Sequence, residues 1–147
     1  MDTIFSLSNL FVLPFWTLMI FFPRWQWTRR IVRYPFFVAL LALLYAILVI
    51  SQFAGILPVL LRPSLANVSA LLGTPTWATI GWIHFLAFDL FVGRWIYLDS
   101  QERGISAWFV SPLLFLTFML GPLGFLSYLC LRTGYSLLRP QAQHESL

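Results

Sequence analysis

The sequence contains no lysine, one cysteine, two histidines and five acidic residues, and each scarcity removes a class of function. A single thiol, Cys130, allows no disulfide framework and no cysteine-based metal site, and it reads as a small packing residue in an apolar stretch. With only His84 and His144, neither a multi-histidine di-iron site nor bis-histidine haem ligation can form within one chain. No Gly-rich phosphate loop, G-x-S-x-G turn or Cys/His zinc pattern occurs. The residues therefore offer no metal site and no cofactor motif. Charged residues make up 10% of the chain, against about a quarter in soluble domains. Too little polar surface remains to face water.

What is present is apolar. Hydrophobic residues are 60% of the chain, aromatic residues 18%, and the mean hydropathy is +0.84. A hydrocarbon core about 30 Å thick needs about 20 apolar residues at helical rise. Four stretches meet that need, at about 4–22, 35–61, 76–98 and 108–131. Each must be helical, because an open strand in lipid leaves backbone groups unpaired. The expected fold is an all-α integral membrane protein, a bundle of four transmembrane helices over residues 1–138, with a polar tail at 139–147. The N-terminus shows no basic cluster and no small-residue cleavage site, so the first stretch reads as a retained span. A short interfacial helix is expected through Ala66–Leu72.

The formal charge of +4 would suggest nucleic acid in a soluble protein. Here no basic face with interleaved aromatics remains once the spans are assigned, so nucleic acid is not a partner. Arg24, Arg29, Arg30 and Arg33 crowd the first loop; Arg94 and Arg103 join that side, against Arg62, Arg132 and Arg139. The positive-inside bias then places the first and third loops in the cytoplasm or stroma and both termini on the lumenal or periplasmic side. Trp25 and Trp27 read as interface anchors beside the first loop.

The chemistry concentrates in the run from Trp82 to Asp99, WIHFLAFDLFVGRWIYLD. Ionisable groups inside a span are functional suspects, provided that they face protein or water. In a span centred near Ala87, His84 and Asp89 lie within about 5 Å of the midplane, Arg94 is about 10 Å away, and Asp99 reaches the interface. At 100° per residue, Asp89 is roughly 140° round the helix from His84, and Arg94 roughly 140° further. The three share no face, so partners on other helices are expected. The candidates are Ser8 and Asn9, Ser51 and Gln52, and Ser127 and Tyr128. Gly121-Pro122-Leu123-Gly124 reads as a packing kink or as the wall of a cavity. The residues leave metal-free acid–base chemistry or simple binding.

Trp82, His84, Asp89-Leu90-Phe91, Gly93-Arg94-Trp95 and Asp99, followed by Pro112 and Gly121-Pro122-Leu123-Gly124, resemble the family of the abscisic-acid-deficient-4 protein, the plastid neoxanthin synthase, and its bacterial relatives. The resemblance covers about half of the chain directly. It implies a xanthophyll-related protein of a thylakoid or bacterial inner membrane, with a carotenoid as lipophilic partner alongside membrane lipids. A bacterial or organelle-encoded origin is expected, since the residues ahead of the first span do not read as the transit peptide of the plant proteins.

The activity so implied is a cofactor-independent isomerisation that opens a carotenoid epoxide, as in neoxanthin synthesis. Asp89 would be the acid at the epoxide oxygen, His84 the base for a carbon-bound proton, and Arg94 the group that steadies charge. Trp82, Phe91, Trp95, Gln52 and Tyr128 are the candidates for lining the ligand. The alternative is a non-catalytic binder of carotenoid, quinone or chlorophyll, or an assembly factor, working as a homo-oligomer or beside a larger photosynthetic complex.

Overall fold

A computed structural model describes residues 1–138. Among them are seven helices and no strand: α1 Asp2–Phe21, α2 Gln26–Arg33, α3 Phe36–Ser51, α4 Phe53–Leu61, α5 Leu65–Leu72, α6 Pro75–Glu102 and α7 Ala107–Leu138. By length and composition α1, α6 and α7 can cross a membrane. A fourth crossing arises if α2 and α3, bent by 41° at their junction, act as one span. The expected tail at 139–147 lies outside the described residues, as does His144.

The basic first loop contains α2. Thr28 and Val32, one turn apart, are its buried side, while Arg29, Arg30 and Arg33 are exposed. The Thr28 hydroxyl donates to the Phe22 carbonyl at 2.8 Å and so ties α2 to the end of α1. The second expected span, 35–61, is interrupted. α3 closes at Ser51, whose hydroxyl donates to the Leu48 carbonyl at 2.7 Å, and Gln52 leaves the helical region at φ −113°, ψ 16°. Gly55 and then Pro58, which lacks a backbone donor, weaken the continuation. α5 matches the short helix expected near Ala66, with Ser64 as its N-cap accepting from the Asn67 amide at 3.2 Å.

The chain divides into two compact units. The first comprises residues 1–15 and 34–91. Its core joins Leu48, Trp77, Ile80 and Ile83, with Ile4, Leu44 and Tyr45 packed against it. Phe15 of α1 stacks on Phe37 of α3 at 4.3 Å between ring centres. The second unit comprises residues 16–33 and the chain from Val92 onward.

In the second unit α6 stops at a tight turn. Gly104 takes φ +64°, the left-handed conformation that glycine adopts without strain, and the Ile105 amide donates back to the Ser100 carbonyl at 2.9 Å. α7 then departs from the single span, kinked at residues 121–124, expected over 108–131. Leu120 has φ −141° and ψ 62°, far from helical values. A straight helix would carry Tyr135 about 42 Å beyond Ala107. Instead the Tyr135 hydroxyl donates to the Gly104 carbonyl at 3.0 Å. A Cβ on Gly124 would run into the Thr117 backbone, seven residues back along the chain. α7 is therefore a helical hairpin, with arms of about 20 Å (residues 107–119) and about 27 Å (residues 121–138). The second arm runs alongside α6 in the same direction: Trp95 meets Phe125 and Tyr128, Asp99 meets Tyr128 and Arg132, and Gly104 meets Tyr135. Cys130, expected as a packing residue, is exposed. It lies about 200° round the arm from buried Tyr128, on the far side from α6.

Candidate functional site

Of the residues singled out in the sequence, Gln52, Trp82, His84, Asp89 and Phe91 belong to the first unit and Arg94, Trp95 and Tyr128 to the second.

In the first unit α6 holds its site residues against α1 and α3. The Trp82 indole donates to Asn9 Oδ1 at 2.9 Å, and its ring lies 5.7 Å from that of Phe5. His84 is half-buried in an aromatic setting, 4.7 Å from Phe88 and 5.2 Å from Tyr45 of α3 between ring centres. Asp89 is also half-buried, and Phe91 is exposed. Among the described residues neither His84 nor Asp89 makes a hydrogen bond or an ion pair. The partners expected for them are engaged elsewhere. Ser8 donates to the Phe5 carbonyl, Ser51 to Leu48 and Ser127 to Leu123, while Asn9 receives Trp82. Only the Gln52 amide, exposed at the break between α3 and α4, makes no side-chain hydrogen bond among the described residues.

In the second unit the motif residues are bound into the protein. Arg94 Nε donates to the Val32 carbonyl at 2.8 Å and its Nη2 to the Arg33 carbonyl at 2.7 Å. Gly93 is buried where a Cβ would overlap the Trp16 ring. Tyr97 donates to the Pro23 carbonyl at 2.7 Å. One oxygen of Asp99, Oδ2, accepts from Tyr128 at 2.6 Å and from Arg103 Nε at 2.9 Å, and forms an ion pair with Arg132 Nε at 3.3 Å. Arg132 also lies 5.3 Å above the Trp95 ring, which makes T-shaped contacts with Phe125 and Tyr128. Trp95 and Tyr128, expected to line a ligand, therefore hold the hairpin to α6.

The sequence placed Asp99 at the interface and gave it no partner. Two of its partners, Tyr128 and Arg132, were hidden because only the reversal at Leu120 returns them to the level of Asp99. A groove of about 1140 Å³ in the same unit was also unforeseen; Ile20–Trp25 and Ala107, Trp108, Ser111, Pro112 and Phe115 line it. The available signal was Pro23-Arg24-Trp25 together with Trp108, aromatic groups beside a cation. Among the described residues no three His, Cys, Asp or Glu side chains cluster as metal ligands would.

Comparison with known proteins places the chain in a family. It is 28% identical over 111 residues to the chloroplastic protein ABA DEFICIENT 4 of Arabidopsis thaliana, an alignment covering 71% of this chain and 50% of that protein. The chain thus matches about half the length of this curated relative. No solved structure matches. The ABA DEFICIENT 4-like family pattern extends over residues 3–128, through both units and into the second arm of α7, and the chain belongs to that family.

Proposed function

We propose that this protein is a membrane-embedded, carotenoid-handling member of its family, acting on a xanthophyll in a thylakoid or bacterial inner membrane, with Asp89 as its reactive group. The observation that carries this reading is a division of labour along α6. Arg94 and Asp99 are committed to bonds within the protein, whereas His84 and Asp89 make none among the described residues. Ionisable groups on a membrane-spanning helix ordinarily pair with other protein groups. Two that do not, on an apolar helix, suit a ligand that brings its own oxygen.

An epoxide-bearing carotenoid is such a ligand. Opening a 5,6-epoxide to an allenic alcohol breaks one carbon–oxygen bond, delivers a proton to the oxygen and removes one from carbon. The product is an isomer, with no net oxidation. Asp89 would deliver the proton to oxygen, and His84 would take the one removed from carbon. Phe88, Phe91 and Tyr45 offer apolar faces for a polyene near His84 and Asp89. Arg94 acts in this reading as a positioning residue that fixes the end of α2.

A second reading, a non-catalytic carotenoid binder, has one observation in its favour. His84 and Asp89 project from α6 about 140° apart, so a single substrate atom cannot meet both without contact on two sides of the helix. Pigment chromatography of a host with and without the intact gene tests the function. An altered ratio of epoxy to allenic xanthophylls supports the enzyme. Unchanged ratios with pigment co-purifying support the binder.

A further inference from the structure

The second unit carries a feature that carotenoid chemistry does not use, the groove between the end of α1 and the start of α7. Its walls are almost entirely apolar: Ile20, Phe21, Phe22, Pro23, Pro112 and Phe115. Its polar members are Arg24 and Ser111, and its two indoles, Trp25 and Trp108, are 50% and 83% exposed. Exposed indoles beside an apolar wall belong at the headgroup level of a bilayer, with one end dry and one wet.

The charge of this region is one-sided. No acidic residue occurs between Asp2 and Asp89, while Arg24, Arg29, Arg30 and Arg33 fall within or beside α2. Arg30 lies 5.8 Å over the Trp27 ring, and Arg103 and Arg132 are paired with Asp99. Arg24, which lines the groove, has no carboxylate partner among the described residues. A cation at the edge of an apolar channel of this volume complements one kind of molecule, with a long hydrocarbon chain and an anionic head.

We infer that this groove is a binding site for an anionic membrane lipid, its acyl chain between α1 and α7 and its headgroup on Arg24. Basic pockets at the cytoplasmic ends of membrane helices recognise acidic headgroups in this way, each arginine near the surface contributing about fivefold in affinity. The site does not depend on the carotenoid reading and stands if that reading fails.

The test is native mass spectrometry of the full chain released from nanodiscs containing equal amounts of phosphatidylglycerol and phosphatidylcholine. The expected result is selective retention of phosphatidylglycerol, lowered about fivefold in Arg24→Gln and kept in Arg24→Lys. Ser111→Trp, which fills the groove, should lower retention of both lipids. Circular dichroism of each variant should match the wild type, since Arg24 and Ser111 hold no structural hydrogen bond among the described residues. Equal retention of the two lipids, or full retention by Arg24→Gln, overturns the site. So does displacement of phosphatidylglycerol by an equal concentration of inorganic phosphate, which would mean that the chain contributes nothing.

Discussion

The guanidinium of Arg94 ends on the last two carbonyls of α2, those of Val32 and Arg33, at 2.8 Å and 2.7 Å. These carbonyls have no partner within their own helix, and the C-terminal end of a helix favours a cation. One planar side chain thus closes α2 from 61 residues away in sequence.

Arg94→Lys keeps the charge and loses the fork that reaches two carbonyls at once. We expect it to lower unfolding stability by about 1.5–3 kcal/mol, measured by chemical denaturation in micelles. The folded fraction should retain its pigment phenotype. Loss of function at unchanged stability would return Arg94 to the reacting site.

Gly93→Ala places a methyl group in the Trp16 ring. Overpacking of this kind costs about 1–3 kcal/mol. The double variant Gly93→Ala with Trp16→Leu should recover part of that loss. If the single change is harmless, the close approach of α1 and α6 in this unit is wrong.

Tyr128→Phe removes the shortest bond to Asp99, 2.6 Å, and leaves Arg103 and Arg132 to hold the carboxylate. A loss of about 1.5–3 kcal/mol is expected. Asp99→Asn should cost more, because it leaves two arginines facing each other without a counter-charge. A Tyr128→Phe variant as stable as the wild type would mean that the hairpin does not depend on this bond.

How legible these features were in the sequence depended on the range of the interaction. α1 and α6 fall close to their expected limits because each is set by a continuous apolar run and a local stop signal, Pro23 after the first and Gly104 after the second. The Ala66 helix was legible through Ser64. The hairpin was not. Residues 108–131 have the length and apolarity of one span, and Gly121-Pro122-Leu123-Gly124 reads as a bend as readily as a reversal. What distinguishes them is the approach of Gly124 to Thr117, which no spacing rule reveals. The contacts of Arg94 and Trp95 were hidden for the same reason: carbonyl acceptors on α2 and a returning arm leave no signature in a motif. Asp89 and His84 stood out from their depth in an apolar run, a local property.

The reversal carries residue 136 back toward the α6–α7 turn, whereas a single fourth span would put the two on opposite faces. In a Cys130→Ser background, Ser136→Cys and Gln26→Cys should react with an impermeant maleimide from the same face of the membrane. Labelling from opposite faces would contradict the hairpin and restore a single fourth span.

The proposed epoxide opening depends on proton delivery by Asp89, which Asp89→Asn alone removes. Asparagine keeps the shape and the hydrogen-bonding capacity of the side chain but cannot donate an acidic proton. The measurement is the ratio of allenic to 5,6-epoxy xanthophyll, by chromatography, in a host whose own gene is deleted and replaced by each form, with protein levels matched by immunoblot. The wild type should restore the allenic product, and Asp89→Asn, accumulating to the same level, should leave the epoxide unconverted. Full restoration by Asp89→Asn would contradict proton delivery by Asp89.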